Sequence, residues 1–479
     1  MLFNSFSFAI FLPIVFCLYW LIPHAYRWLL LLVVSYYFYM SWNAKYVFLI
    51  LLTTIVSYFA GLFLEKVHDQ RKKKWVLAFT SLICLGVLFF FKYFNFISES
   101  VSTLFSLFSI QLNPLTLKVL LPVGISFYTF QTLSYVIDVY KGDIPAEHHF
   151  GYYATFISFF PQLVAGPIER TRNLLPQIKQ AHIFDYSQAT YGLKLIAWGY
   201  FKKLVIADTL SPFVSRVFDM PHDFRGFALI LASLFFTLQI YCDFSGYSDI
   251  AIGTAKLMGI NLMTNFKSPY FSCSIKEFWS RWHISLSTWF RDYVYIPLGG
   301  NQVGKLRHAR NLMTTFLVSG LWHGANWTYV IWGGIHGLGQ LIEKHLIASA
   351  DTSSHRATQV IRTLIVFLFC AFAWIFFVSS SVSDAFYVIS HLFDGISQPI
   401  AYLHDGFANI GMEKVVFAKE TVLILILALF DLVSLKQDVI ILISQKKTFV
   451  RWTIYVSFCL LIIFFSQKGI AAEFVYFQF

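Results

Sequence analysis

Four stretches of this chain hold residues whose type and spacing could do chemistry. The first is Ser319-Gly320-Leu321-Trp322-His323-Gly324-Ala325-Asn326-Trp327. Imidazole titrates near neutral pH, so His323 could take a proton from a hydroxyl and return one to a leaving group. It lies within an apolar stretch, where an ionisable side chain is costly and by default suggests function. The flanking glycines allow close backbone approach and an irregular turn. A second reading stays open on these residues alone: a buried histidine bonded to a carbonyl.

The second stretch runs from Phe278 to Tyr293. Trp279, Trp282, His283, Leu286, Trp289, Phe290 and Tyr293 fall on one helical face, and Ser280, Arg281, Ser287, Thr288, Arg291 and Asp292 on the other. The spacing predicts one amphipathic helix at a membrane surface, with His283 either functional or one more interfacial ring. The third is Trp332-Gly333-Gly334-Ile335-His336-Gly337, where small residues suit tight helix packing and His336 reads first as a packing or capping residue. The fourth is Pro161-Gln162-Leu163-Val164-Ala165-Gly166-Pro167-Ile168-Glu169-Arg170, whose prolines and glycine break any span and whose last two residues could pair. Gln131, Asp138, Gln239, Asp243, Asp249 and Asn326 also sit near apolar segments and are candidates to line a water-filled route. The last residues, Phe474-Val475-Tyr476-Phe477-Gln478-Phe479, are unusually aromatic for a solvated tail. They could anchor at an interface, pack into a groove or bind a partner.

The elements that must position these residues are membrane helices. Of 479 residues, 57% are hydrophobic and only 13% charged, and the mean hydropathy is +0.64. So apolar a chain cannot cover a water-facing surface, and lipid must be its main solvent. Apolar runs recur from end to end, which predicts a single membrane domain over 1–479. The net charge of +11 sits in short loops beside apolar runs, as membrane orientation requires, and no motif points to nucleic acid. The cysteines at 17, 84, 242, 273, 370 and 459 lack metal-ligand spacing, so no metal or bound cofactor is expected. Residues 5–22 lack a basic region before them and a clear cleavage site after, so they are read as a retained span.

Spans are expected near 5–22, 26–43, 46–64, 75–96, 114–137, 190–210, 226–243, 361–379, 419–435 and 450–467. Residues 151–168 read as a broken or re-entrant segment, 246–263 as a short segment carrying Asp249 and Lys256, and 311–342 as a hairpin dipping into the membrane. The basic loops 65–74, 264–310 and 436–451 should be cytoplasmic, and 97–113 and 380–418 external, which puts both termini outside.

Taken together, PQLVAGPIER at 161–170, FWSRWHISLSTWFRDYVYIPLGGN at 278–301 and SGLWHGANWTYVIWGGIHG at 319–337 resemble the membrane-bound O-acyltransferase family. The likeness is to its bacterial branch that serves cell-surface polysaccharides. It implies an all-α polytopic fold, a ring of about 10–13 tilted transmembrane and re-entrant helices around a central funnel. It implies that His323 is catalytic and His283 the second functional histidine, with His336, Asn326 and Trp322 in support. The ending Phe-x-Tyr-x-x-Phe resembles an acyl-relay motif, which would make Tyr476 an acyl carrier in the external tail 474–479.

The function so implied is acyl transfer across a bacterial cytoplasmic membrane. A cytoplasmic thioester, acetyl-CoA first among candidates, gives its acyl group as donor substrate. An external serine-type (SGNH-like) transferase passes it to a hydroxyl of a surface polysaccharide. A transporter or flippase for a lipid-linked glycan is the alternative, since it too needs many spans, broken helices and intramembrane polar groups. No inverted repeat is visible, and the histidines concentrate in one region.

Overall fold

The computed structural model describes residues 1–346, 356–466 and 474–475. The remaining tail positions, Tyr476 among them, lie outside the described residues. Among the described residues the secondary structure is helical throughout, with no strand. Five helices among the described residues are long and apolar enough to cross a membrane: Ala44–Lys66, Gln70–Ser106, Phe227–Leu257, Arg356–Val378 and Thr448–Phe465. The chain is an all-α, multi-pass membrane protein, as the composition demanded.

Residues pack as two compact units. The first comprises Met1–Ile196 and Ile250–Met263, the second Ala197–Asp249 and Thr264–Phe479. In the first unit, Ser5 caps Phe6–Leu21 by accepting from the Phe8 N–H, and Asp69 caps the helix from Gln70 by accepting from the Arg71 N–H. The expected span at 114–137 is shorter than read. Its helix runs Ile125–Lys141, because Gly124 takes a left-handed conformation (φ 76°) that breaks the chain just before it. The expected break at 151–168 is present: helix Phe150–Ser158 stops and the chain turns through Gly166. There the buried Glu169 carboxylate accepts from the Met263 N–H and, at 2.5 Å, from Asn173 Nδ2.

One further expectation changes. The segments read as 226–243 and 246–263 are one helix, Phe227–Leu257, of 31 residues, which belongs to the second unit as far as Asp249. At 1.5 Å per residue it runs about 46 Å, longer than a ~30 Å hydrocarbon core. Its charges do not end it, because Asp243 and Asp249 are paired with Lys203 and Lys202 at 2.6 and 2.7 Å. The hairpin at 311–342 is present as Lys305–His323 and Trp327–Leu346. Its arms touch through glycine. A Cβ on Gly320 would lie 2.2 Å from the Tyr329 carbonyl oxygen, and one on Gly333 would lie 2.3 Å from that of Phe316. Nothing larger than hydrogen fits at either crossing. Trp282, Trp332 and Trp374, all fully buried, form the centre of this unit's core.

Candidate active site

His323 is the last residue of its helix, and Gly324 beyond it is extended (φ −158°). The hairpin thus ends on the imidazole. The ring is 3% exposed and sits in an aromatic cage. Trp332 and Phe377 meet it edge-on at 5.0 and 5.5 Å, and Trp322 packs at 5.0 Å.

The sequence predicts one amphipathic helix over 278–293. The structure breaks it. Helix Ile275–Arg281 ends, His283 takes a left-handed backbone (φ 44°), and a new helix runs Ile284–Phe290. Such a conformation is uncommon for a residue with a side chain and costs of order 1–3 kcal/mol. Segment 265–267 holds it in place: the Ile284 N–H donates to the Asn265 carbonyl at 2.9 Å, and the Lys267 N–H to the Arg281 carbonyl at 3.0 Å. The break turns His283 inward, fully buried, so it is a core residue and not an interfacial ring. Its ring centroid lies 6.4 Å from that of His323, with the planes 59° apart. The structure brings the two predicted histidines together although they are 40 residues apart in sequence.

The proton on His283 can be placed. Asn265 Oδ1 faces the backbone N–H of Ser285 at 3.3 Å and its hydroxyl at 2.9 Å. An N–H can only donate, so the Asn265 atom there is the oxygen. His283 Nδ1 approaches that same oxygen at 3.0 Å and must carry hydrogen. Nε2 therefore keeps its lone pair and can accept a proton or hydrogen bond. Burial pushes the imidazole well below its ordinary range, so the ring is neutral near pH 7. Asn265 Nδ2 donates to Ser248 Oγ at 3.1 Å, tying the arrangement to the long helix.

His336 lies fully buried and accepts at Nδ1 from Trp279 Nε1 at 3.2 Å. Trp332 touches both this ring, at 5.1 Å, and His323, at 5.0 Å. Asn326 works at the hairpin tip. Its Oδ1 accepts from the Thr328 N–H at 3.1 Å, and its Nδ2 donates to the Ser380 carbonyl at 2.8 Å. It fixes the turn that follows His323. Trp322 packs between His283, 6.2 Å away, and Phe290, 6.5 Å away.

A cavity of about 1190 Å³ opens within the second unit. Lys276, Arg291, Lys344 and Arg362 line it, against one carboxylate, Glu343. Glu343 is committed to the backbone, accepting from Ile275 and Lys276 N–H at 2.9 and 3.1 Å. Buried Trp279, Phe316 and Ser319 also line the cavity. Ser319 precedes His323 by one helical turn, and Trp279 bonds His336. A polyanion with an apolar or neutral reactive end matches these walls. Sequence reading found Lys276 and Arg291 in the basic 264–310 stretch. It missed Lys344 and Arg362, which arrive from later helices, and Asn265, which is legible only once the fold sets it beside His283.

The model of the membrane-bound O-acyltransferase family matches residues 143–382. The chain is 42% identical to the "Probable alginate O-acetylase" of Pseudomonas aeruginosa, over 81% of this chain and 74% of that one. It is 32% identical to the peptidoglycan O-acetyltransferase of Helicobacter pylori, over 94% of this chain and 91% of that one. It is 29% identical to the teichoic acid D-alanyltransferase of Bacillus subtilis, over 53% of this chain and 68% of that one.

Proposed function

The chain belongs to the membrane-bound O-acyltransferase family, and from that premise we propose that it takes an acetyl group from a cytoplasmic thioester and hands it outward for O-acetylation of a surface polysaccharide. The observation that carries this reading is the pair of buried imidazoles, His323 and His283, with ring centroids 6.4 Å apart, in the same unit as a cavity lined by four cationic side chains, whose wall includes Ile284, next to His283, and Ser319, one helical turn before His323.

The chemistry follows from the walls. Acetyl-CoA carries phosphates on one end and a small neutral thioester on the other. Lys276, Arg291, Lys344 and Arg362 suit the first, and the buried surface of Trp279, Phe316 and Ser319 suits the second. His323 takes the proton of an attacking hydroxyl. The new C–O bond forms, the C–S bond breaks, and the proton returns to the departing thiolate. His283, neutral and with its lone pair on Nε2, orients a proton-bearing group of the reactants. The attacking hydroxyl is that of Tyr476, which makes the tail an acyl carrier. An external serine-type transferase then moves the acetyl group to a polysaccharide hydroxyl. The relatives named for alginate and peptidoglycan O-acetylation support this acceptor class. Coenzyme A cannot cross a bilayer, whereas an acetyl group passed between hydroxyls can. The setting is a bacterial cytoplasmic membrane with both termini outside, and 1–479 acts as one catalytic domain.

The test is transfer from radiolabelled acetyl-CoA by the purified full chain in liposomes, with Tyr476→Phe as the comparison. Label bound covalently to the unchanged chain and absent from the folded variant supports the relay. Label equally present in both removes Tyr476 as carrier. Absence of transfer from acetyl-CoA, with transfer from another acyl thioester, moves the donor assignment.

A further inference from the structure

Away from the imidazole pair, the interior of the second unit holds a cluster of charge that the reaction above does not use. Residues Phe201–Ala207 wind as a π-helical turn, a form that often marks functional sites. Lys202 and Lys203 are both buried in it, 3% and 1% exposed. Lys202 Nζ meets Asp249 at 2.7 Å and Ser245 Oγ at 2.8 Å. Lys203 Nζ meets Asp243 Oδ1 at 2.6 Å and Asp208 Oδ1 at 2.8 Å.

The other oxygen of Asp243 has a partner from the far end of the chain. Its Oδ2 accepts from the backbone N–H of Val475 at 2.7 Å. Phe474 beside it is 1% exposed. Its ring centroid lies 4.3 Å from Lys203 Nζ and meets Tyr247 edge-on at 4.7 Å. A buried carboxylate needs both oxygens satisfied. Lys203 satisfies one and the tail's main chain the other, while Lys203 also holds the Phe474 ring by its charge. Asp243 and Tyr247 are one helical turn apart, so they form two walls of one slot.

The next residues of the same helix serve His283. Phe244 packs edge-on to His283 at 4.6 Å, and Ser248 accepts from the Asn265 that holds His283. One turn and a half of helix Phe227–Leu257 therefore grips the tail and buttresses His283 together.

We infer that Asp243, backed by Lys203 and flanked by Tyr247, is a docking site for the chain's own C-terminal segment. Asp243 binds the main chain, so it fixes register, and Phe474 fills the slot beside it. These are positioning residues: they fix the main chain at Val475. In the relay reading, on which this docking does not depend, the next residue in sequence is the carrier Tyr476.

Hydroxyl-radical footprinting of the full chain in liposomes reads the exposure of Phe474 directly by mass spectrometry. Val475→Pro deletes the N–H, whereas Val475→Ala keeps it while cutting back the same buried side chain, which separates the hydrogen bond from the packing. Docking predicts a several-fold rise in Phe474 oxidation in Val475→Pro and none in Val475→Ala. Asp243→Ala should raise it likewise, since Lys203 keeps Asp208 as its counter-ion. Tyr476→Phe should leave Phe474 protected whatever it does to acetyl transfer, so a failed relay and a failed docking site give different results. Phe474 as protected in Val475→Pro and Asp243→Ala as in the unchanged chain overturns the proposal.

Discussion

Asn265 sets the proton on His283: one side-chain oxygen, fixed by the Ser285 N–H, lies 3.0 Å from His283 Nδ1. The lone pair is thereby left on Nε2 of a neutral ring. Asn265→Ala removes the oxygen and frees the ring to change tautomer and tilt. Losing such a buried hydrogen bond costs about 1–3 kcal/mol, so kcat should fall by about 10–100-fold with KM little changed. Steady-state kinetics of acyl transfer decide it. An unchanged kcat would mean that the His283 tautomer has no part in the reaction.

The hairpin that carries His323 depends on two crossings without side chains. A Cβ at Gly320 or Gly333 would lie within 2.2–2.3 Å of a backbone oxygen. No rotamer relieves a clash with main chain, so the arms must separate. Gly320→Ala and Gly333→Ala should each lower stability by about 1–3 kcal/mol, the usual cost of overpacking, and activity should fall with it. Thermal unfolding in detergent measures the first effect. Gly334→Ala is the control, since a Cβ there meets only a Leu317 methyl at 3.6 Å.

Donor recognition should divide from chemistry. Lys344 and Arg362 line the cavity and belong to helices outside the basic stretch at 264–310. Removing both charges weakens binding of a polyanionic thioester without moving the imidazoles. The Lys344→Gln, Arg362→Gln double variant should raise KM for acetyl-CoA by about 10-fold or more, with kcat nearly kept, and high salt should shrink the difference. A fall in kcat at constant KM would contradict this role.

Glu169 gives a stability effect with a defined sign. Burial pushes its carboxyl up to about 7, against the opposing bonds from Met263 and Asn173 and the charge of Arg170. The unfolded chain titrates it near the ordinary 4.5. The folded state therefore prefers the protonated form. Its contribution is fully present below pH 4.5 and is lost as pH rises through about 7. Between pH 5 and 8 the unfolding midpoint should drop in the unchanged chain by more than in Glu169→Gln. Parallel profiles for the two would remove Glu169 as the source.

Much of the site was legible in the sequence because local chemistry wrote it there. Trp322-His323-Gly324-Ala325-Asn326 announces a turn with a histidine in an apolar stretch, and the hairpin is that turn. The broken segment after Ser158 was equally plain from its prolines. What failed to show were effects of distance. Periodicity over 278–293 fits one helix, and nothing local signals the left-handed His283, because Asn265 imposes it from 18 residues away. The sequence reading ends one span at Asp243 and sets Asp249 in a separate short segment, since their counter-ions, Lys203 and Lys202, lie on another helix. Two adjacent lysines inside an expected span were the signal available, and a buried lysine pair is a sign of a site.

The central claim is that His323 is the base for acyl transfer from a thioester. Release of free thiol from acetyl-CoA, by the unchanged chain and by His323→Ala in the same liposomes, tests it most directly once both are confirmed folded. Turnover should fall by about 10²–10⁴-fold while donor binding is retained. A folded His323→Ala that releases thiol at the unchanged rate would contradict it.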